Sequence, residues 1–162
     1  METGSHRTVL VVDDDPTVRL LCRVSLEPSG FRVTEAADGD EALELIAADR
    51  PDVILLDIMM PRVSGWQVAA ELLNARATDK IPIVFITALT RRADRLRAAG
   101  LGAIGYVTKP FDPAALAPTL TALLDRIERG EGRFVVAESL EKLRGELLEP
   151  PEGPDSRTRA RQ

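Results

Sequence analysis

The chain has 162 residues, 44% hydrophobic and 29% charged, enough to close one soluble domain around its own core without staples. Its single cysteine, Cys22, excludes an intramolecular disulfide and suits a reducing cytoplasm, and no apolar stretch approaches the roughly 20 residues of a membrane span. A net charge of −5 argues against a broad nucleic-acid surface.

Residues 1–6 lack the apolar core of a secretory signal and read as a disordered leader. The Val- and Leu-rich run at 9–12 then ends in Asp13, Asp14 and Asp15, followed by Pro16. Asp15 with Pro16 reads as a helix cap and first-turn proline, and Val18, Leu21 and Cys22 share one face of the helix that follows. Further strands are expected at 31–34, 53–56, 81–86 and 104–107, each bounded by Gly, Pro, Asp or Lys. Helical spacing separates them, carried by Ala42, Leu43 and Ile46, then Val68 and Leu72, then Leu96. Gly65 reads as the turn before the third helix, with a structural role only. Asp112 and Pro113 open a last helix whose Leu116, Leu120, Leu123, Leu124 and Ile127 face one way, and Pro118 within it predicts a bend or a late start.

Beyond Gly130 the composition changes. Residues 130–149 read as a linker and an amphipathic tail helix striped by Val136, Leu140, Leu143 and Leu147, which docks on this chain or pairs with a second copy. Residues 150–162, rich in Pro, Gly and charge, read as a disordered tail. Helices between successive strands force parallel neighbours and right-handed crossovers, so the expected α/β product is a doubly wound, three-layer sandwich.

In such a sheet ligands collect at the carboxyl ends of the strands, beside the point where the winding reverses. Those ends carry Asp13, Asp14 and Asp15, then Asp57, then Thr87 and Ala88, then Thr108, Lys109 and Pro110. Clustered carboxylates attract a hard divalent cation such as Mg2+, and a carboxylate attacks phosphorus to give an acyl phosphate. An ammonium, a hydroxyl and a metal around it supply the electrostatic stabilisation of phosphoryl transfer. Which aspartate reacts is left open by this chemistry.

Two resemblances assign it differently. VLVVDDDPTV resembles the first motif of the haloacid-dehalogenase-like, Mg2+-dependent phosphatases, which implies Asp13 as nucleophile. That family needs a later strand ending in paired acids, whereas Lys109 is followed by PFDPAAL, and Asp57 is left without a role. The acidic pair, VILLDIMMPRVSGW, IVFITA and GYVTKPF, taken together over residues 7–129, resemble the receiver domain of bacterial two-component response regulators.

The second resemblance implies a flavodoxin-like sheet of order 2-1-3-4-5 and a single-domain regulator with a short C-terminal extension. It implies Asp57 as phosphoacceptor, Mg2+ on Asp13, Asp14, Asp57 and the backbone carbonyl of Met59, and Thr87 and Lys109 on the phosphoryl group. It further implies a cis bond before Pro110 and a switch in which Thr87 and Tyr106 move together. The expected partners are a histidine kinase or a histidine phosphotransfer protein upstream and a protein target downstream, with a homodimer through the fourth and fifth helices or the tail helix as an option. Arg91, Arg92 and Arg95 stand by the expected signalling face. The residues after Gly130 are too few for a DNA reader with its own core, so neither nucleic acid nor membrane is an expected partner. Such a protein is no metabolic enzyme, performing only its own phosphorylation and slow dephosphorylation, which Met59 and Leu89 do nothing to hasten. An atypical receiver that binds partners without phosphorylation remains a third reading.

Overall fold

The computed structural model describes residues 6–75, 81–89 and 91–131. Five strands alternate with five helices: β1 (Thr8–Val12), α1 (Pro16–Leu26), β2 (Arg32–Ala36), α2 (Gly39–Ala48), β3 (Val53–Leu56), α3 (Gly65–Asn74), β4 (Ile83–Thr87), α4 (Arg92–Gly100), β5 (Gly105–Thr108) and α5 (Pro113–Glu128). The strands form one parallel sheet in the order β2-β1-β3-β4-β5, as the receiver-domain resemblance implies. The expected tail helix, the disordered tail and most of the leader lie outside the described residues.

Alternate side chains of each strand enter opposite layers. Leu10, Val12, Ile54, Leu56 and Phe85 pack under α2, α3 and α4. Val9, Val11, Val53, Leu55, Val84 and Ile86 pack with Cys22 and Leu26 of α1 and Leu116, Leu120 and Leu124 of α5. Burial on both faces explains why the central strands read as unbroken apolar runs rather than as alternation. The Cys22 thiol, which burial first and then the charge of Asp13 push up to about 12, is a core group and not a nucleophile.

Only β3 matches its expected bounds at both ends: β1 begins one residue early at Thr8, and β2, β4 and β5 run on to Ala36, Thr87 and Thr108. β4 begins at Ile83 because Pro82 has no N–H for the ladder, although its carbonyl still accepts from the Ile54 amide at 2.9 Å. β2 and β5 each start one residue late, after Phe31 and Ile104, which are buried but precede the paired register. The weakest helical signal, around Leu96, has a physical reason. α4 buries only Ala98 and Ala99, and sets the guanidinium of Arg97 4.6 Å over the Trp66 ring and that of Arg95 5.8 Å over Tyr106.

Helix starts follow the local chemistry. Asp15 accepts from the Thr17 amide and Asp112 from the Ala114 amide, each with proline next in line. α5 begins at Pro113, so the late start suggested by Pro118 does not occur, and the proline lies exposed inside the helix. A proline there has no N–H to give the Ala114 carbonyl. Pro118→Ala is therefore expected to raise stability by about 1–2 kcal/mol, the helix gain being trimmed by a freer unfolded chain. Urea unfolding followed by circular dichroism measures it, and a lower midpoint would contradict it.

Candidate functional site

The sheet turns over between β1 and β3, and the chain's acids stand there. Val12 pairs with Leu56, so the residues that follow, Asp13 and Asp57, emerge side by side, and the Asp57 amide donates to the Val12 carbonyl at 2.9 Å. On the other flank Thr87 pairs with Thr108, and the Lys109 amide donates to the Thr87 carbonyl at 2.8 Å. Register alone thus converges side chains that lie far apart in sequence.

Asp13 and Asp57 are 2% and 4% exposed, whereas Asp14 faces solvent. One carboxylate oxygen from each of the three lies within 4.8 Å of the others. Burial and the neighbouring charge of Asp13 hold the Asp57 carboxyl above its ordinary range, against the opposing pull of Lys109 and the Met59 amide. The Lys109 ammonium donates to Asp13 Oδ2 at 2.6 Å and lies 3.4 Å from Asp57 Oδ2. Burial alone would lower its pKa, but the bond to Asp13 and both carboxylate charges carry it above the ordinary lysine value.

Three hard oxygen donors, two of them buried and one open to water, suit a magnesium ion that keeps several waters. A cation there would offset the repulsion that lifts Asp57. Asp15, by contrast, turns away to cap α1.

Thr87 is fully buried and its hydroxyl accepts from the Leu89 amide at 3.3 Å. Met59 is 60% exposed beside the site, and its amide donates to Asp57 Oδ1 at 3.3 Å. Tyr106 is half-buried against Phe85, with its hydroxyl donating to the Leu89 carbonyl at 2.7 Å. Burial pushes that phenol up to about 12, so it stays a donor at neutral pH. Thr87 and Tyr106 thus meet the same residue, Leu89, from two sides. The Lys109–Pro110 bond is cis, as the resemblance implies.

Two contributions escape the sequence reading. Gly65 does more than turn the chain: its amide donates to the Ile58 carbonyl at 3.0 Å, and a Cβ on it would sit 2.2 Å from the Asp57 carbonyl oxygen. Arg19, on α1, donates from Nη1 to the Asp13 carbonyl at 2.7 Å. Neither contact has a motif. The only sequence hint for Arg19 is a cation near the start of a helix, where the macrodipole disfavours it.

Residues 9–121 match the family model of the response regulator receiver domain. The chain is 41% identical over 124 residues to "Probable transcriptional regulator ycf27" of Cyanophora paradoxa, covering 76% of this chain and 51% of that protein. It is 44% identical over 125 residues to "Response regulator MprA" of Mycolicibacterium vanbaalenii, covering 76% of this chain and 53% of the other. The chain therefore spans about half the length of these relatives. The fold resembles that of the chemotaxis protein CheY4 of Vibrio cholerae with a TM-score of 0.69 and 32% identity, over 73% of this chain and 98% of that one.

Proposed function

The chain belongs to the response regulator receiver domain family of two-component systems, and we propose that it is a phosphorylation switch whose acceptor is Asp57. The observation that carries this reading is the setting of Asp57: buried at the winding reversal, among two further carboxylates and the Lys109 ammonium. The family match supports the receiver resemblance over the phosphatase one, in which Asp13 would be the nucleophile.

An oxygen of the Asp57 carboxylate attacks the phosphorus of a phosphohistidine on a histidine kinase or phosphotransfer protein. The P–N bond breaks as the new O–P bond forms, and the imidazole leaves with its electron pair. Magnesium, held by Asp13, Asp14, Asp57 and the Met59 carbonyl, would supply charge stabilisation for the transferred group. Lys109 then exchanges part of its pairing with Asp13 for a phosphoryl oxygen, and the Thr87 hydroxyl donates to another. Turning Thr87 toward the phosphoryl group takes its oxygen from the Leu89 amide, and Leu89 also holds the Tyr106 hydroxyl. The modification thereby biases Tyr106 toward a second, inward position, because the phosphoryl dianion interacts differently with the two arrangements.

The domain so proposed runs over residues 7–129, and its output is protein contact at the surface around α4, β5 and α5. One of the relatives is named as a transcriptional regulator, so the expectation against a nucleic-acid partner, which came from net charge and from the shortness of the segment after Gly130, is not carried forward. None of the described helices is long and apolar enough to cross a membrane.

Treatment with a small phosphodonor or beryllofluoride in the presence of Mg2+, followed by mapping of the modified residue, tests the assignment. Modification is expected at Asp57; modification at Asp13, or steady turnover of phosphate esters, overturns it. Exposed Met59 and half-buried Leu89 offer no polar group to orient a hydrolytic water. The acyl phosphate is therefore expected to outlast minutes in the purified protein and to shorten in Met59→Asn. A lifetime of seconds in the native chain contradicts that expectation.

A further inference from the structure

Asp13 is held at every oxygen it has. Its Oδ1 accepts from the Asp15 amide at 2.9 Å, its Oδ2 from Lys109, and its carbonyl from Arg19 Nη1 at 2.7 Å. The first two hold the carboxylate; the third holds the backbone from which that carboxylate hangs. Arg19 is 18% exposed, and its Nε lies 3.4 Å from Glu35 Oε1 on β2. The other oxygen of Glu35 takes both Nε and Nη2 of Arg23, at 3.0 and 2.8 Å, and Arg23 also pairs with Glu27. Glu35 thus braces a guanidinium that reaches the loop between β1 and α1.

A bare cation beside three carboxylates would compete with a metal, and an arginine near the start of a helix opposes the macrodipole. Both costs fall because Glu35 balances the charge. What Arg19 retains is a directed donor on a backbone carbonyl, which is the work of a group that orients metal ligands from outside the coordination sphere.

We infer that Arg19, braced by Glu35, is a positioning residue that sets the Asp13–Asp14 pair for divalent cation binding. The inference rests on the proposed cation site. Its test is calorimetric titration of Mg2+, and of Mn2+ as a second probe, into the native chain, Arg19→Gln, Arg19→Lys and Arg23→Gln. Arg19→Gln is expected to weaken Mg2+ affinity about tenfold, the low end for loss of such an outer group. Electrostatics alone predicts the opposite, because the substitution removes a positive charge near the site.

Arg19→Lys keeps the charge and one donor, and should recover part of the affinity. Arg23→Gln breaks the far side of the same ion network without touching Asp13, and should stay within about twofold of native. In phosphorylation assays the half-saturating Mg2+ concentration should rise in Arg19→Gln, while the rate at saturating Mg2+ stays near native. Unchanged or tighter binding in Arg19→Gln, or equal weakening in Arg23→Gln, overturns the role of Arg19. Failure of the native chain to bind either cation overturns the cation site itself, a separate outcome.

Discussion

Asp57→Asn is expected to take up no phosphoryl group under conditions in which the native chain is labelled, because a carboxamide oxygen is too weak a nucleophile to form the mixed anhydride. The drop in labelling rate should exceed about 100-fold, read by intact mass. The same substitution is expected to stabilise the fold at neutral pH. Burial, and then the charge of Asp13, disfavour the ionised Asp57 carboxylate, so its folded pKa lies above its ordinary value of 3.8. A carboxyl whose pKa rises on folding binds its proton more tightly in the folded state, so stability falls as the pH rises from the unfolded pKa to the folded pKa and the loss is complete above it. Asn carries no such charge. The variant's advantage in urea midpoint should be full above the folded pKa, fade as the pH falls through it, and vanish below 3.8, where the native carboxyl is protonated in both states. Millimolar Mg2+ should narrow the gap by stabilising the native chain more. A lower midpoint for Asp57→Asn at neutral pH would show that Lys109 outweighs the repulsion from Asp13.

Gly65→Ala is expected to cost about 2–3 kcal/mol and to slow phosphorylation as well. The added methyl would lie 2.2 Å from the Asp57 carbonyl oxygen and 2.8 Å from Ile58 Cα, and both neighbours are backbone, so no side chain can swing aside. Either α3 retreats or the segment carrying Asp57 shifts, and the second misplaces the proposed acceptor. Gly100→Ala is the control, since a Cβ there meets nothing within 4 Å at the end of α4. It should be neutral or gain about 0.5 kcal/mol. Denaturant unfolding of both variants, with phosphodonor labelling rates, separates the two sites. Equal stability of Gly65→Ala and the native chain would mean that the loop between β3 and α3 yields freely.

Arg62, in that same loop, adopts a φ of 65° and pairs with Asp38 at 3.1 Å, while Asp38 caps α2 through the Glu41 amide. The loop beside Asp57 is thus tied to the one after β2. Its tight path explains why a residue at position 65 without a Cβ matters more than a turn alone requires.

Much of the architecture is local and was therefore legible in the chain alone. Val- and Ile-rich runs bounded by breakers mark the strands, of which the central three are buried on both faces, Asp15-Pro16 and Asp112-Pro113 mark helix starts, and alternation of the two elements forces a parallel sheet. The acids, the threonine and the lysine at successive strand ends were visible for the same reason, since a strand's end is a property of its own sequence. Contacts between segments distant in sequence were decided only by the tertiary structure. Register sets Asp13 beside Asp57 and hands Lys109 chiefly to Asp13, and helix packing stacks Arg95 and Arg97 on aromatic rings. Close approach brings Gly65 against the Asp57 carbonyl, and a long side chain reaches back from α1 to hold Asp13. None of these has a periodicity or a spacing, because each depends on where a second segment of backbone comes to lie.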